Sequence, residues 1–211
     1  MPMVRAALRE AVAARDLETI CEYAATRRRA LSELYAMTYH RDPLVVWRAV
    51  EAIGIAADVK SRIDMERVRD FIRRCIWMMN DESGGIGWHS PEVIGEVLFR
   101  VPMLLGEYGA LLFHYFDESP FERGAVAAIA RIAPLASGMV KSHLPKVEAM
   151  LRSSDAVRRA FAVKIFETLG VDLPIAVKEK LMLDNAQIVL YSFDSGTLQL
   201  HTIRDLPDAV S

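Results

Sequence analysis

The chain has 211 residues, 52% hydrophobic and 26% charged, with a formal net charge of −2; this is the composition of a folded protein with a sizeable core, and it excludes disorder. The near balance of charge disfavours a surface built to neutralise phosphates, so nucleic acid is not the expected partner. No run reaches the roughly eighteen uncharged apolar residues of a membrane helix, and Arg5, Arg9, Glu10 and Arg15 interrupt the apolar residues of the N-terminal segment, so the expectation is a cytoplasmic chain with no membrane contact and no secretory signal.

From Asp16, a helix N-cap, the spacing of Leu17, Ile20, Cys21 and Ala24 predicts a short amphipathic helix, and Ala30, Leu31, Leu34, Tyr35 and Thr38 predict another over Arg27–Tyr39. Asp42 caps the next helix, with Pro43 in its first turn where the missing N–H costs nothing; its expected end is at Gly54 or shortly after. Further helices are predicted over Asp64–Met79, from Ser90-Pro91, over Pro102–Phe116, from Ser119-Pro120, over His143–Arg152, from Ser154-Asp155 and over Pro174–Leu183. Ser119 and Glu122 have capping-box spacing. Cys21 and Cys75 lie inside predicted helices with no CxxC or Cys/His companions and read as buried free thiols. The tail changes character: Gln187–Phe193 and Thr197–Ile203, separated by Asp194-Ser195-Gly196, predict a β-hairpin. It is expected to cover the apolar end of the helical stack.

Helix openings recur roughly every thirty to fifty residues, the period of stacked helical hairpins. The segment Asp42-Pro43-Leu44-Val45-Val46-Trp47-Arg48-Ala49-Val50-Glu51-Ala52-Ile53-Gly54 resembles the second helix of HEAT repeats, and Asp155-Ala156-Val157-Arg158-Arg159-Ala160 with Leu169-Gly170 resembles it again. Ser119-Pro120 through Arg123, Ala125, Ala128 and Ile129 is a weaker copy. The resemblance, to HEAT-like helical repeats of the phycobilin-lyase type, covers most of residues 16–170, and the segment Asn80-Asp81-Glu82-Ser83-Gly84-Gly85-Ile86-Gly87-Trp88 resembles one in an uncharacterised bacterial family of such repeats. It implies an all-α fold: a right-handed α-α superhelix, a HEAT-like solenoid of about four helical pairs, with a C-terminal β-hairpin. Residues 1–186 form the repeat domain, and 187–211 form a hairpin cap and tail packed on the same domain. Trp47 stands where the repeat has a small or basic residue, and reads first as core and second as facing a groove.

One loop breaks the pattern. The second pair inserts Asn80-Asp81-Glu82-Ser83-Gly84-Gly85-Ile86-Gly87-Trp88-His89 before Ser90-Pro91, where the other pairs have a few residues. Insertions in repeats collect on one face and often bind ligands. The alternative is structural, with Trp88 and Ile86 tucked between layers. Beyond the loop, Glu92, Glu96 and Arg100 form a polar stripe at four-residue spacing, expected as a solvated helix face with a Glu96–Arg100 pair. The candidate ligand-binding residues are therefore Asn80, Asp81, Glu82, Trp88, His89, Glu92 and Glu96. Their carboxylates and imidazole would suit a cation if they converge, although no HExxH spacing fixes a metal.

No Walker loop, GxSxG or Gly-rich dinucleotide turn specifies a cofactor or catalytic set. The leading expectation is a non-enzymatic scaffold that holds a protein or peptide on its concave face and the Asn80–Pro91 loop. The alternatives are a metal- or small-ligand-binding repeat protein, or a HEAT-like DNA glycosylase for alkylated bases, for which Trp77, Asp81 and Trp88 supply residue types without an aligned motif.

Overall fold

In the computed structural model, residues 2–80 and 87–207 are described, side chains from residue 6 onward. The first helices are α1 (Pro2–Ala14), α2 (Leu17–Thr26), α3 (Ala30–Tyr35, continued by a 3-10 turn Ala36–Tyr39), α4 (Pro43–Ser61) and α5 (Met65–Met79). Then come α6 (Ser90–Arg100), α7 (Leu105–Tyr108, flanked by 3-10 turns Pro102–Leu104 and Gly109–Phe116), α8 (Glu122–Ile132), α9 (Ser137–Ser142), α10 (Leu144–Met150), α11 (Ala156–Leu169) and α12 (Ile175–Leu181). The chain closes with β1 (Gln187–Ser192), β2 (Thr197–Thr202) and a 3-10 turn Ile203–Asp205.

Aspartates start the helices where the sequence places them. Asp16 accepts from the Thr19 N–H at 3.1 Å, Asp42 from Leu44 at 2.9 Å, Asp64 from Arg67 at 3.3 Å and Asp155 from Val157 at 2.8 Å, each satisfying a donor that has no intrahelical partner. At Ser119 the expectation fails: α8 opens at Glu122 with Phe121 at the cap and no side-chain capping bond. Ser90 lies inside the first turn of α6, its buried hydroxyl 2.7 Å from the Tyr35 hydroxyl, and His89 occupies the cap position.

Helix α4 runs seven residues beyond Gly54. It is buried on almost every side, so a glycine in its interior is tolerated for packing reasons: a Cβ at position 54 would stand 2.5 Å from Cγ of Glu96. The region 102–116 is mostly 3-10 rather than one α-helix, in keeping with Pro102, Gly106 and Gly109, which weaken regular helix, while Leu104, Leu112, Phe113 and Phe116 anchor it to the core.

Helices α2, α4, α6, α8 and α11 pack successively side by side and form an inner layer, with α3, α5, the 102–116 segment and α10 packed against it as the outer elements. One continuous apolar cluster runs from Leu8 to Ile203. At its centre α6 and α8 approach very closely, because a Cβ on Gly95 would stand 2.7 Å from the Ala128 Cα. The thiol of Cys75 is buried in this core, which pushes its pKa up to about 12, whereas Cys21 is half-buried.

The hairpin forms with the expected antiparallel register, Gln187 opposite Thr202 through Ser192 opposite Thr197, and Gly196 takes the left-handed conformation (φ +67°) its turn requires. Its place differs from expectation. It lies along the inner layer from α11 to α4, and its tip accepts hydrogen bonds from the N-terminal end of the stack: Arg15 donates to the Phe193 and Asp194 carbonyls and Arg48 to the Gly196 carbonyl. The terminal surface it was expected to cover keeps Ile175, Met182 and Leu183 exposed. Tyr191 of β1 donates its hydroxyl at 2.6 Å to Glu51 of α4, a carboxylate that is 1% exposed and also held by Arg15 at 2.8 Å.

Because Tyr191 supplies a charge-assisted hydrogen bond to a buried carboxylate, Tyr191→Phe should lower stability by about 1.5–3 kcal/mol with little change in the urea m-value. Equilibrium urea unfolding followed by circular dichroism measures it, and an unchanged midpoint would show that the hairpin does not brace α4.

Candidate functional site

The residues singled out in the sequence lie in different surroundings. Asn80 closes α5, its side-chain amide donating to the Ile76 carbonyl at 2.8 Å and the Tyr115 hydroxyl at 2.9 Å. Asp81 and Glu82 lie outside the described residues. Trp88 is 54% exposed, and so is not tucked between layers. His89 and Glu92 come together across the first turn of α6, Nδ1 to Oε1 at 3.3 Å.

Glu96 is not on a solvated stripe. Its side chain is fully buried, and its two oxygens accept from Arg100 at 2.8 Å and Arg131 of α8 at 2.6 Å. The expected Glu96–Arg100 pair forms, but inside the protein, because α8 covers that face of α6. Burial raises the Glu96 pKa, and the two guanidinium groups act against it. For His89, burial acts to lower the pKa and Glu92 to raise it, with the net direction upward. Among the described residues, no group of three or more His, Cys, Asp or Glu side chains is placed to hold a metal ion.

A second candidate face is built from residues that no local pattern in the sequence connects. Tyr191 of β1 and Phe193, the first residue of the hairpin turn, meet Trp47 of α4. The Trp47 and Tyr191 rings are near-parallel at 5.9 Å, and Phe193 stands edge-on to both, at 6.4 Å and 5.1 Å. With Phe161 of α11, Ala127 and Ala128 of α8, Arg131 and Glu92, these rings line an open recess of about 30 Å³. On the other side of Tyr191 and Phe193 a polar cavity of about 350 Å³ is lined by Lys164, Ser192, Gln199 and His201, among others.

Arg131 joins the recess to the stack. Its guanidinium lies 3.5 Å from the centre of Phe99 and 3.9 Å from that of Phe193 while its Nε holds Glu96. Glu92 differs from the other buried glutamates: its side chain is 10% exposed and its Oε2 has no hydrogen-bond partner among the described residues. The signals available in the sequence were the oddity of Trp47 in its repeat and the i, i+2 spacing of Tyr191 and Phe193; nothing local to either indicated that they meet.

No family model matches the chain. An uncharacterised protein of Archaeoglobus fulgidus is 28% identical over 144 residues, which cover 67% of this chain and 75% of that protein. Among solved structures, an engineered protein superposes with a TM-score of 0.52 at 14% identity, covering 96% of this chain and 87% of its own, a likeness of fold alone. Two looser likenesses are a designed armadillo repeat protein in complex with the peptide (KR)4 (TM-score 0.47, 17% identity, 78% of each chain) and computationally designed armadillo repeat proteins for modular peptide recognition (TM-score 0.49, 14% identity, 92% and 90%). No single helix among the described residues is long and apolar enough to cross a membrane.

Removing one partner of a buried ion pair strands the other, so Arg131→Met should cost about 3 kcal/mol, the lower end of the range because Arg100 still holds Glu96. The double variant Glu96→Met, Arg131→Met should regain much of that loss, since no fully buried charge is left and Arg100, whose side chain is one-third exposed, can turn to solvent. Urea unfolding of both variants decides it; equal losses would mean that the pair is not the source of the effect.

The His89–Glu92 contact predicts a pH signature. With the folded-state pKa above the ordinary imidazole value of 6.5, its stabilisation is fully present below 6.5 and fades as pH rises through the higher folded value. His89→Gln should flatten the melting temperature across that window relative to the parent, and a slope that survives the substitution would place the proton elsewhere.

Proposed function

We propose that this chain is a non-enzymatic binding scaffold that holds a protein or peptide on its inner face, working in the cytoplasm. The helices form a right-handed superhelix, and the face bounded by the hairpin is its concave side. The observation that carries the reading is the recess itself: five chain segments, α4, α6, α8, α11 and the hairpin, each place side chains in one open, aromatic-lined depression. The carboxylates deepest in the layer are engaged in structural ion pairs, Glu51 with Arg15 and Glu96 with Arg100 and Arg131. What faces the ligand is mostly rings and amphipathic side chains, the surface type that anchors peptides. In this reading the Asn80–Pro91 loop contributes His89, which touches Glu92 in the recess, and Trp88, whose half-exposed indole would extend the contact surface.

Peptides selected from a random library on the full chain provide the test. In 1H–15N spectra the indole of Trp47 and the backbone of β1 should shift on binding, and Trp88→Ala should weaken binding by about tenfold, or 1.4 kcal/mol, without lowering the melting temperature. Trp77→Ala, on an equally exposed indole of α5 (63% exposed), should change nothing. Selected peptides that shift only α5 and α10 would overturn the assignment to the inner face.

A further inference from the structure

We propose that the recess between Trp47, Phe161, Tyr191 and Phe193 takes a primary alkylammonium group, presented as a lysine side chain of the bound peptide, with the Glu92 carboxylate as its counter-charge. This rests on the scaffold reading of the same face and names the chemistry it selects.

Three glutamates of the inner layer differ in their partners. Glu51 is held by Arg15 and Tyr191, and Glu96 by Arg100 and Arg131. Glu92, with its side chain nine-tenths buried, has only His89 at 3.3 Å on Oε1 and no partner on Oε2. A buried carboxylate oxygen left unpaired is destabilising unless a donor reaches it. The chain also keeps space for this carboxylate: it lies over the Cα of Gly124, where any Cβ would overlap it. Arg131, the cation already lining the recess, is occupied by Glu96 and by the faces of Phe99 and Phe193.

Three rings within 5.1–6.4 Å of one another line the recess beside that carboxylate, and an electron-rich ring face next to a carboxylate favours a cation carried on an apolar stem. The recess volume of about 30 Å³ exceeds the roughly 10–15 Å³ that one water requires, so the recess admits the slender Cε–Nζ end of a lysine more readily than a trimethylammonium head.

The test uses the full 15N-labelled chain. Titration with n-butylammonium chloride should move the Trp47 indole saturably; n-butanol should not, and tetramethylammonium should bind several-fold more weakly. Glu92→Gln, nearly isosteric, should weaken n-butylammonium at least tenfold, and Gly124→Ala, which displaces the carboxylate without removing its charge, should also weaken it. The pentapeptide acetyl-Ala-Ala-Lys-Ala-Ala-amide should bind, and its norleucine counterpart should not; this comparison on the parent chain decides the matter even if either variant folds poorly. Equal binding of n-butanol, or undiminished binding in a folded Glu92→Gln, overturns the recess. If library peptides still bind the inner face with Glu92→Gln as tightly as with the parent, the recess inference falls and the scaffold reading survives. If n-butylammonium binds and no peptide does, the scaffold reading falls and the recess is a site for a free amine.

Discussion

A single guanidinium connects the parts of this molecule. Arg131 projects from α8, donates to Glu96 of α6, and lies between Phe99 of α6 and Phe193, the first residue of the hairpin turn. A buried carboxylate is tolerable only when its lone pairs are filled, and Glu96 meets that condition only if α6 and α8 sit at one separation and one rotation. Gly95 against Ala128 permits that separation. Once Arg131 is fixed, its exposed ring-binding face defines where Phe193 can stack, and so where the hairpin lies.

The second buried carboxylate repeats the logic at the other end of the layer. Glu51 is held by Arg15 from the corner between α1 and α2 and by Tyr191 from the hairpin, so elements from both ends of the chain converge on α4. The hairpin is thereby part of the inner face rather than a lid on the end of the stack. Two ion-paired glutamates brace the layer, and the third, Glu92, one turn from Glu96 on α6, lines the recess without a full set of partners. Braced and unbraced carboxylates are told apart here by counting donors, not by residue type.

Much of the helical frame was legible from local signals. Asp16, Asp42, Asp64 and Asp155 cap the helices assigned to them, and the hairpin strands fall within a residue of their expected limits, because capping and strand alternation are decided within a few residues. The errors arose where distant residues intervene. Gly54 resembled a helix end, but the side chain of Glu96 occupies the space its Cβ would need, and α4 continues. The Ser119–Glu122 spacing fits a capping box, yet Phe121, buried at 5% exposure, holds the cap position. The Glu92–Glu96–Arg100 stripe has the spacing of a solvated face, and only the neighbouring helices, α4 at Gly54 and α8 at Arg131, enclose Glu96.

The candidate site shows the same division. His89 and Glu92 are close in sequence and meet in space; Trp47, Phe161, Tyr191 and Phe193 lie on three elements spread over 147 positions, and no periodicity within any one of them points to the others. The sequence by itself determined a helical stack, its main caps, a terminal hairpin and an unusual loop, since these follow from backbone hydrogen bonding and short-range apolar spacing. Only the tertiary structure decided which carboxylates are braced, which one lacks a partner, and that the hairpin lies across the inner layer, because burial and charge pairing are properties of surfaces brought together from remote parts of the chain.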